Sequence, residues 1–274
     1  MSGLIFDIKD FALNDGAGIR TTVFFKGCPL RCIWCHNPEG LSPIPELYEK
    51  KVGCLSCGLC RKGCSHPDCQ PFGRCLHVCP MNLLSVVGQR WEAEALAERL
   101  LRRQDVFSAT GGGVTLSGGE PLLQADFALE LLSLLEGKLH RAIETSGYTP
   151  RMTFERVLDS CEFVYMDLKL ADGEAHRRYT GVDNRQILET AQLLKRSGVP
   201  HRFRIPLIPA ITDTEENLRA LSAFIGEDEV ELLSYNRLAP AKYESVGRRF
   251  TDQIDGDRAL NAPLSLFHNA ILRK

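Results

Sequence analysis

Three cysteines fall within eight consecutive positions of the stretch "GCPLRCIWCHNPEG", at Cys28, Cys32 and Cys35. Thiolates at this spacing suit zinc or an iron–sulfur cluster. A structural zinc site takes four protein ligands, whereas this stretch offers three and no second pair at zinc-finger spacing. An iron–sulfur cube held by three thiolates leaves one iron free to bind a small ligand. The three cysteines therefore predict a cluster with a catalytic function.

Seven further cysteines lie in the segment 54–80, "CLSCGLCRKGCSHPDCQPFGRCLHVCP". The first four have the C-x2-C-x2-C-x3-C spacing of bacterial ferredoxins and are Cys54, Cys57, Cys60 and Cys64. The same spacing restarted at Cys69 predicts three more cysteines, of which Cys75 and Cys79 are present. Phe72 stands at the remaining position.

In a ferredoxin the fourth cysteine of each run binds the cluster of the other run. This rule gives a first cluster with four ligands, which are Cys54, Cys57, Cys60 and Cys79. A second cluster then keeps three thiols, which are Cys64, Cys69 and Cys75, and its fourth ligand is His66, Asp68 or none. A three-iron cluster is an alternative at the second position, and zinc is an alternative for part of the segment. The short spacing between Cys64 and Cys69 leaves the pairing itself open.

The composition limits the other functions. The chain has 274 residues with 33 Lys and Arg against 35 Asp and Glu, and this near-neutral balance argues against nucleic acid as a partner. The sequence has no long apolar run and its N-terminus, "MSGLIFDIKDF", lacks an apolar signal core, so we expect no membrane span and a cytoplasmic location. Clustered thiols in that reducing compartment predict metal ligands rather than disulfides, and the isolated Cys161 is expected to be a small buried hydrophobe.

Short β-type runs alternate with helical patterns along the rest of the chain. The runs rich in β-branched or aromatic residues are 21–27, 113–119, 140–147, 163–169, 201–208 and 229–236. Amphipathic helices are predicted near 91–103, 123–136, 187–198 and 212–225, and weaker ones near 151–159 and 263–272. Thr212 and Glu215 have the spacing of a helix-capping box.

This alternation predicts a parallel sheet with helices outside it. Six units fit a doubly wound sheet or an open, partial (β/α)6 barrel of the TIM type, and we favour the barrel because unusual residues follow every strand. The barrel is expected to comprise 1–52 and 83–274, with 53–82 as a small ferredoxin-like insert after the first strand.

Ligands bind at the carboxyl ends of parallel strands, where the loops are free to vary. Polar or metal-binding groups follow all six predicted strands in this chain: the three-cysteine loop, "SGGEP" from 117 to 121, Glu144, Asp167 with Lys169, Arg204 and Asn236. Taken singly, several of these side chains would be read as surface ion pairs. Their common position predicts one large site across the mouth of the barrel.

The C-x3-C-x2-C motif with an aromatic residue before its last cysteine resembles the signature of the radical S-adenosylmethionine superfamily. Within that superfamily, "DGAGIRTTVFFKGCPLRCIWCHNPEG" resembles the glycyl radical enzyme activating enzymes, the group that includes pyruvate formate-lyase activating enzyme. The likeness continues through "TLSGGEPLLQ", "IETSGY", "MDLK" and "RIPLIPAITDTEENL" and covers roughly residues 3 to 248.

The resemblance implies roles at the matching positions. Cys28, Cys32 and Cys35 match the ligands of a [4Fe-4S] cluster whose free iron binds S-adenosylmethionine. The residues implied to bind this cofactor, and with it a monovalent cation, are Trp34, Cys35, His36, Gly118, Gly119, Glu120, Glu144, Asp167, Leu168, Lys169, Arg204 and Asn236. Asn236 stands where several relatives have histidine. The resemblance assigns the "DGAGIR" residues Asp15, Gly16, Gly18 and Arg20 to shaping the site or docking the partner.

The resemblance also implies an oxidoreductase that cleaves S-adenosylmethionine reductively to a 5′-deoxyadenosyl radical, which abstracts hydrogen from a backbone glycine of a large partner, a glycyl radical enzyme. It implies one or two further clusters in the insert, a flavodoxin or ferredoxin-type electron donor, and a monomer that docks transiently. Two alternatives are a radical enzyme with a small-molecule substrate, as in deazapurine-forming relatives, and a non-catalytic iron–sulfur carrier or zinc-stapled binding protein. The final stretch, 251–274, matches no element of the family.

Overall fold

Seven parallel strands form the centre of a nine-stranded sheet in the computed structural model, which describes residues 1–273. The strands of the chain are β1 Ser2–Ala12, β2 Arg20–Phe25, β3 Glu46–Glu49, β4 Leu84–Val87, β5 Gln89–Glu92, β6 Gly113–Gly118, β7 His140–Thr145, β8 Phe163–Asp167, β9 His201–Leu207, β10 Glu229–Ser234 and β11 Asn269–Arg273. The order in the sheet is β11-β10-β9-β8-β7-β6-β2-β1-β5. The run from β2 to β11 is parallel throughout, and β1 and β5 add an antiparallel margin.

Helices follow the parallel strands, as the alternation predicts. They are α1 Ala93–Leu101, α2 Gln104–Thr110, α3 Ala125–Leu135, α4 Arg151–Leu158, α5 Gly173–Thr180, α6 Arg185–Ser197, α7 Glu215–Ile225 and α8 Ala239–Tyr243. The apolar faces of α1 to α4, α6 and α7 pack on one face of the sheet in a main core that includes Val164 and Met166 of β8, whereas α5 packs in a smaller cluster beside Trp34. Because side chains alternate along a strand, Tyr165 and Asp167 of β8 lie on the opposite face. That face therefore carries the polar interior of the barrel.

The six predicted strands are confirmed as the parallel centre of the sheet, and the α/β barrel-type architecture is confirmed with them. The two marginal strands β11 and β5 are at opposite ends of the sheet order in the described chain, so the barrel is open. Cys161 is buried in the main core, as expected. None of the helices within residues 1–273 has the length and apolar character needed to cross a membrane.

The predicted helix near 263–272 is wrong. A short turn at Leu264–Leu266 precedes strand β11, which extends the sheet beside β10. Ala270 and Leu272 pack on the core while Ile271 is exposed, so the apolar residues repeat every second position, as in a strand. The stretch 251–274 therefore supplies a seventh parallel strand.

The predicted capping box is also misplaced by two residues. The hydroxyl of Thr214 caps α7 by accepting a hydrogen bond from the Asn217 backbone N–H at 3.3 Å. The Thr212 hydroxyl instead accepts a bond from the Ile208 backbone N–H at 2.6 Å and so stabilises the preceding turn.

The cysteine-rich segment projects from a two-stranded stalk. Strands β3 and β4 pair with each other in an antiparallel sheet separate from the main one, and the segment lies between them in the chain. At the base of the stalk, Glu46 accepts bonds from the Lys26 ammonium at 2.7 Å and from Arg248 Nη2 at 2.6 Å. An open cleft of about 830 Å³, lined in part by Phe72, lies between the segment and the body of the barrel.

The cap of α7 generates a test of the helix boundary. Thr214→Ala removes the acceptor for a helix N-terminal N–H and is expected to cost about 1 kcal/mol, which lowers the melting temperature by about 2–4 °C. Thermal unfolding of the anaerobic, metal-loaded protein followed by circular dichroism measures the shift. Thr153→Ala, inside α4, is the matched control and should stay within about 0.5 kcal/mol of the wild type. Equal melting of the two variants would contradict the assignment.

Candidate active site

The three-cysteine loop begins where β2 ends and is held by its backbone. The N–H groups of Arg31 and Ile33 donate to the carbonyls of Thr180 and Tyr179, at 2.6 and 3.1 Å, and so fix the loop to the end of α5. The Tyr243 hydroxyl donates to the Cys35 carbonyl at 2.9 Å. The positions of the cysteines are therefore set by the loop backbone and by two neighbouring helices.

Cys28, Cys32 and Cys35 are half-buried free thiols. Burial raises the pKa of all three, that of Cys32 to about 12 even though the nearby Lys169 opposes the effect. Thiols in such surroundings stay protonated unless a cation compensates the thiolate, which bound iron would do. In the described structure, the sulfur atoms of these three cysteines do not all lie within 4.8 Å of one another. This spread suits a cube, in which each thiolate binds a different iron, better than one ion.

The "SGGE" segment at the end of β6 is pressed against the start of the cysteine loop. The Gly119 N–H donates to the Phe25 carbonyl and the Glu120 N–H to the Gly27 carbonyl, each at 2.8 Å. A Cβ atom on Gly119 would lie 2.3 Å from the Gly27 carbonyl oxygen and 2.5 Å from that of Gly40. No side chain fits between these three backbones, so glycine is required at this position.

The Glu120 carboxylate connects this segment to β7. It is 1% exposed and accepts hydrogen bonds from the Thr145 hydroxyl at 2.7 Å and from both the hydroxyl and the N–H of Ser146, at 2.6 and 2.8 Å. A further bond comes from the Leu122 N–H at 3.2 Å. Burial raises the pKa of the Glu120 carboxyl, although these bonds oppose the rise. Its oxygens are engaged within the protein, so the groups of this segment left to meet a ligand are in the glycine backbone.

A charged network crosses the interior face of the sheet. Arg204 on β9 pairs with Glu144 of β7 at 2.8 Å and with Glu231 of β10 at 2.9 Å, and its guanidinium lies 3.9 Å from the centre of the Tyr165 ring. Burial would lower the pKa of Arg204, but Glu144 and Glu231 together raise it. Arg273 of β11 also pairs with Glu231, at 3.0 Å. Arg204 is thus held by its neighbours, and it orients Glu144 at the mouth.

Asp167 and Lys169 lie together at the end of β8. The Lys169 ammonium donates to Asp167 Oδ2 at 2.8 Å, whereas Asp167 Oδ1 is buried and has no hydrogen-bond partner among the described residues. Burial alone would lower the pKa of Lys169, but Asp167 and the Cys32 sulfur outweigh it, so the pKa is raised. A buried carboxylate oxygen without a partner is costly, which makes Asp167 Oδ1 a candidate ligand atom for a cation or an ammonium group.

Four other predicted residues have different placements. The Trp34 side chain is buried in a small core with Leu170, and the Leu168 side chain is buried in the main core, so only its backbone can face the mouth. His36 is exposed on the loop. Asn236 is exposed, and its side-chain oxygen accepts a bond from the Leu238 N–H at 3.0 Å.

The "DGAGIR" residues lie beneath the barrel, at the amino end of β2. Arg20 is fully buried, its Nε donates to the Thr115 hydroxyl at 2.7 Å, and burial lowers its pKa to about 10. The hydroxyl of Thr22 donates to Asp15 at 2.5 Å, and a Cβ atom on Gly18 would lie 2.5 Å from the Gly112 nitrogen. This motif therefore packs the floor of the barrel, opposite the cysteine loop.

The cysteine-rich segment contains one close group of thiols. The ligand atoms of Cys64, Cys69 and Cys75 lie within 4.8 Å of one another. A second group that meets the same limit combines Cys69 with His66 and His77. The sequence alone does not indicate His77 as a ligand, because a single histidine among these cysteines has no recognisable spacing.

The thiols predicted for the first ferredoxin cluster are more spread. Cys54 and Cys57 are exposed, Cys60 and Cys79 are half-buried, and these four do not form a group within the 4.8 Å limit in the described chain. The Arg74 guanidinium donates to the Cys60 sulfur at 2.9 Å and to Glu49 of the stalk at 2.7 Å.

Comparisons with known proteins agree with this arrangement. The family model described as the Radical SAM superfamily matches residues 22–221. The isethionate sulfite-lyase activating enzyme of Oleidesulfovibrio alaskensis is 37% identical over 273 residues, covering 90% of this chain and 88% of that protein. The indoleacetate decarboxylase activating enzyme of Tractidigestivibacter scatoligenes is 34% identical, covering 91% and 88%. The 4-hydroxyphenylacetate decarboxylase activating enzyme of Clostridium scatologenes is also 34% identical, covering 93% and 90%.

A solved structure supports the fold alone. The Streptococcus suis protein SuiB bound to its precursor peptide SuiA superposes with a TM-score of 0.53 at 15% identity, over 82% of this chain and 40% of that one.

The contact at Gly119 generates a test of the site. Gly119→Ala places a methyl group against two carbonyl oxygens, and overpacking of this kind costs about 1–3 kcal/mol. We expect a lower melting temperature and less iron retained at the cysteine loop after gel filtration, measured anaerobically. Gly63→Ala, at a position with no atom within 4 Å of the added carbon, is the control. The interpretation fails if both variants retain wild-type iron and stability.

Proposed function

The chain belongs to the radical S-adenosylmethionine superfamily and, within it, to the enzymes that activate glycyl radical enzymes, and from this premise we propose how its residues divide the reaction. Cys28, Cys32 and Cys35 hold a [4Fe-4S] cluster together with S-adenosylmethionine. When bound, this pair supplies the chemistry of the family, in which an electron cleaves the sulfonium and the resulting 5′-deoxyadenosyl radical takes hydrogen from a backbone glycine of the partner. The chain itself supplies binding, charge and exclusion of water.

Binding of S-adenosylmethionine is proposed at the carboxyl ends of β6, β7 and β8. Asp167 Oδ1, which has no hydrogen-bond partner in the described chain, and the Glu144 carboxylate would supply negative charge for the amino group and for a monovalent cation. The Lys169 ammonium would pair with the methionine carboxylate. The backbone of Gly118 and Gly119, which is half-buried, would offer carbonyl oxygens. Trp34, His36, Leu168 and Asn236 would border the nucleoside with backbone or rim contacts.

Two of the predicted cofactor ligands take a supporting role in this proposal. Glu120 positions the glycine backbone because its carboxylate is occupied by Thr145 and Ser146. Arg204 positions Glu144 through their 2.8 Å ion pair. Each acts on the cofactor through a neighbour.

The cysteine-rich segment, 53–82, is proposed as a separate insert that carries an electron-relay cluster. Cys54, Cys57, Cys60 and Cys79 are its ligands, and their spread supports a cube rather than one ion. An external flavodoxin or ferredoxin-type protein would donate the electron to this insert. We further propose that the enzyme works in the cytoplasm as a monomer that docks on its partner transiently.

The partner is proposed to be a glycyl radical enzyme that acts on a small organic anion. The relatives are named for partners that act on indoleacetate, 4-hydroxyphenylacetate and isethionate, which are carboxylates or a sulfonate. The partner's glycine loop would enter the open mouth of the barrel, which an incomplete sheet leaves accessible.

The observation that carries this proposal is the meeting of the cysteine loop, the Gly118–Glu120 segment and the Asp167–Lys169 pair at one end of the sheet. Cys28→Ala removes a cluster ligand and should abolish both cofactor cleavage and partner activation. Chromatography measures methionine and 5′-deoxyadenosine after reduction with dithionite, and electron paramagnetic resonance detects the glycyl radical on the partner. Cys161→Ala, at the buried thiol of the core, should leave both signals intact. Intact S-adenosylmethionine in the reduced wild-type reaction would refute the proposal.

The Arg74–Cys60 hydrogen bond generates a test of the relay. Arg74→Gln removes a cationic donor from a cluster thiolate, which destabilises the reduced cluster and should lower its reduction potential by on the order of tens of millivolts. A redox titration followed by electron paramagnetic resonance measures the shift. Arg61→Gln, an exposed arginine beside the same cysteine, is the control and should leave the potential unchanged. Equal shifts in both variants would assign the effect to net charge instead of the bond.

A further inference from the structure

The close group of thiols in the insert has the dimensions of a site for one metal ion. Tetrahedral zinc with Zn–S bonds of about 2.3 Å places its sulfur ligands roughly 3.8 Å apart. The Sγ atoms of Cys64, Cys69 and Cys75 lie within 4.8 Å of one another. In a cube each thiolate binds a different iron and points away from the centre of the cluster. The distances between the thiolate sulfurs are therefore longer than the distances between the irons.

The other two thiol sets of the chain provide an internal comparison. Neither the catalytic loop nor the set that ends at Cys79 forms a three-ligand group within 4.8 Å in the described residues. The three sets of thiols therefore differ in the distances between their sulfur atoms, and these distances distinguish a cluster site from a site for a single ion. The third set does not fit the second [4Fe-4S] cluster that ferredoxin spacing predicts.

The fourth ligand of this close group is not a thiol. Phe72 occupies the position where the repeated spacing calls for cysteine, and it lines the cleft toward the barrel. His66 and His77 instead lie beside Cys69, with their ring centres 4.7 Å apart. One ligand atom from each histidine lies within 4.8 Å of the Cys69 sulfur, whereas neither histidine lies that close to both Cys64 and Cys75. Three thiolates and one imidazole are a common ligand set for structural zinc.

Asp68 completes the features of a zinc site. Its carboxylate lies 3.1 Å from His66 Nδ1 and 3.4 Å from His77 Nε2, so each ring keeps its other nitrogen for a metal. A carboxylate that accepts a bond from a ligating histidine orients the ring and raises its basicity. Cys69 is 1% exposed and its sulfur accepts a bond from the Leu76 N–H at 3.3 Å, so this sulfur lies in the interior of the insert.

We infer that Cys64, Cys69 and Cys75 bind a single zinc ion, with a histidine of the pair His66 and His77 as the fourth ligand and Asp68 as the carboxylate behind it. The ion would be structural, because four protein ligands leave no open position. It would fold the insert around the relay cluster held by Cys54, Cys57, Cys60 and Cys79. The chain then carries two iron–sulfur clusters and one zinc ion.

The test is metal analysis of the full chain, purified anaerobically and reconstituted with iron and sulfide in the presence of zinc. After a challenge with EDTA, we expect one zinc and about eight irons per chain, as two [4Fe-4S] clusters require. Zinc K-edge absorption should show three sulfur neighbours and one nitrogen neighbour. About twelve irons without zinc, the paramagnetic signal of an oxidised three-iron cluster, or a zinc with four sulfur neighbours would overturn the inference.

Variants separate this site from the catalytic one. Cys75→Ala and the double variant His66→Gln/His77→Gln should lose zinc in the EDTA challenge, while Cys28→Ala should keep it. Asp68→Asn should weaken zinc binding by about 10- to 100-fold, measured by competition with a chromogenic chelator. Unchanged zinc retention in both Cys75→Ala and the double histidine variant would also refute the site. Zinc is measured without S-adenosylmethionine, so failure of this inference and failure of the radical chemistry are separate results.

Discussion

The close approach of three backbones at Gly119 is the constraint on which the rest of the site depends. At this point the ends of β2 and β6 and the turn at Gly40 meet with no space for a side chain, and three hydrogen bonds of 2.8 Å join them. The Glu120 carboxylate connects this backbone contact to the end of β7. A catalytic group must be held to a fraction of an ångström, and sites supported by strands achieve this better than free loops. The cysteine loop therefore starts from a fixed point.

A second constraint is the neutralisation of charge inside the barrel. Two carboxylates, Glu144 and Glu231, flank Arg204, and Arg273 from the last strand completes the network. Paired charges of this kind are retained in a low-dielectric interior only when each has its partners. Asp167 is the exception, because one of its oxygens is buried without a hydrogen bond. Within the described residues, Asp167 Oδ1 is therefore a buried carboxylate oxygen without a partner at the mouth of the barrel, next to Lys169.

How much the sequence could predict depends on how local each signal is. The six parallel strands and the cysteine loop have local patterns, so their positions are predictable from short stretches of sequence. The role of Arg20 depends on Thr115, nearly a hundred residues away, and a glycine-rich motif with a charged end gives no indication that the arginine is fully buried. The helix prediction at the last strand was wrong because the segment "NAILR" is short enough to fit the periodicity of a helix or of a strand. The sequence does not indicate the contacts of His77 and Arg74, because their partners are distant in the chain or are themselves cysteines.

The insert is attached directly to the strand that leads into the cysteine loop. Lys26 is 1% exposed and lies two residues before Cys28, and its ammonium donates to the Glu39 carbonyl and to Glu46 at the base of the stalk, each at 2.7 Å. Burial lowers the pKa of Lys26, and Glu46 opposes that change by stabilising the charged form. Removing one member of such a buried pair leaves an uncompensated charge and costs about 3–5 kcal/mol, so the stalk cannot detach without disturbing the end of β2. Arg248 binds the same carboxylate from the other side. The insert is therefore anchored to the strand that leads to Cys28, Cys32 and Cys35, and the relay cluster proposed for it would keep a defined position relative to them.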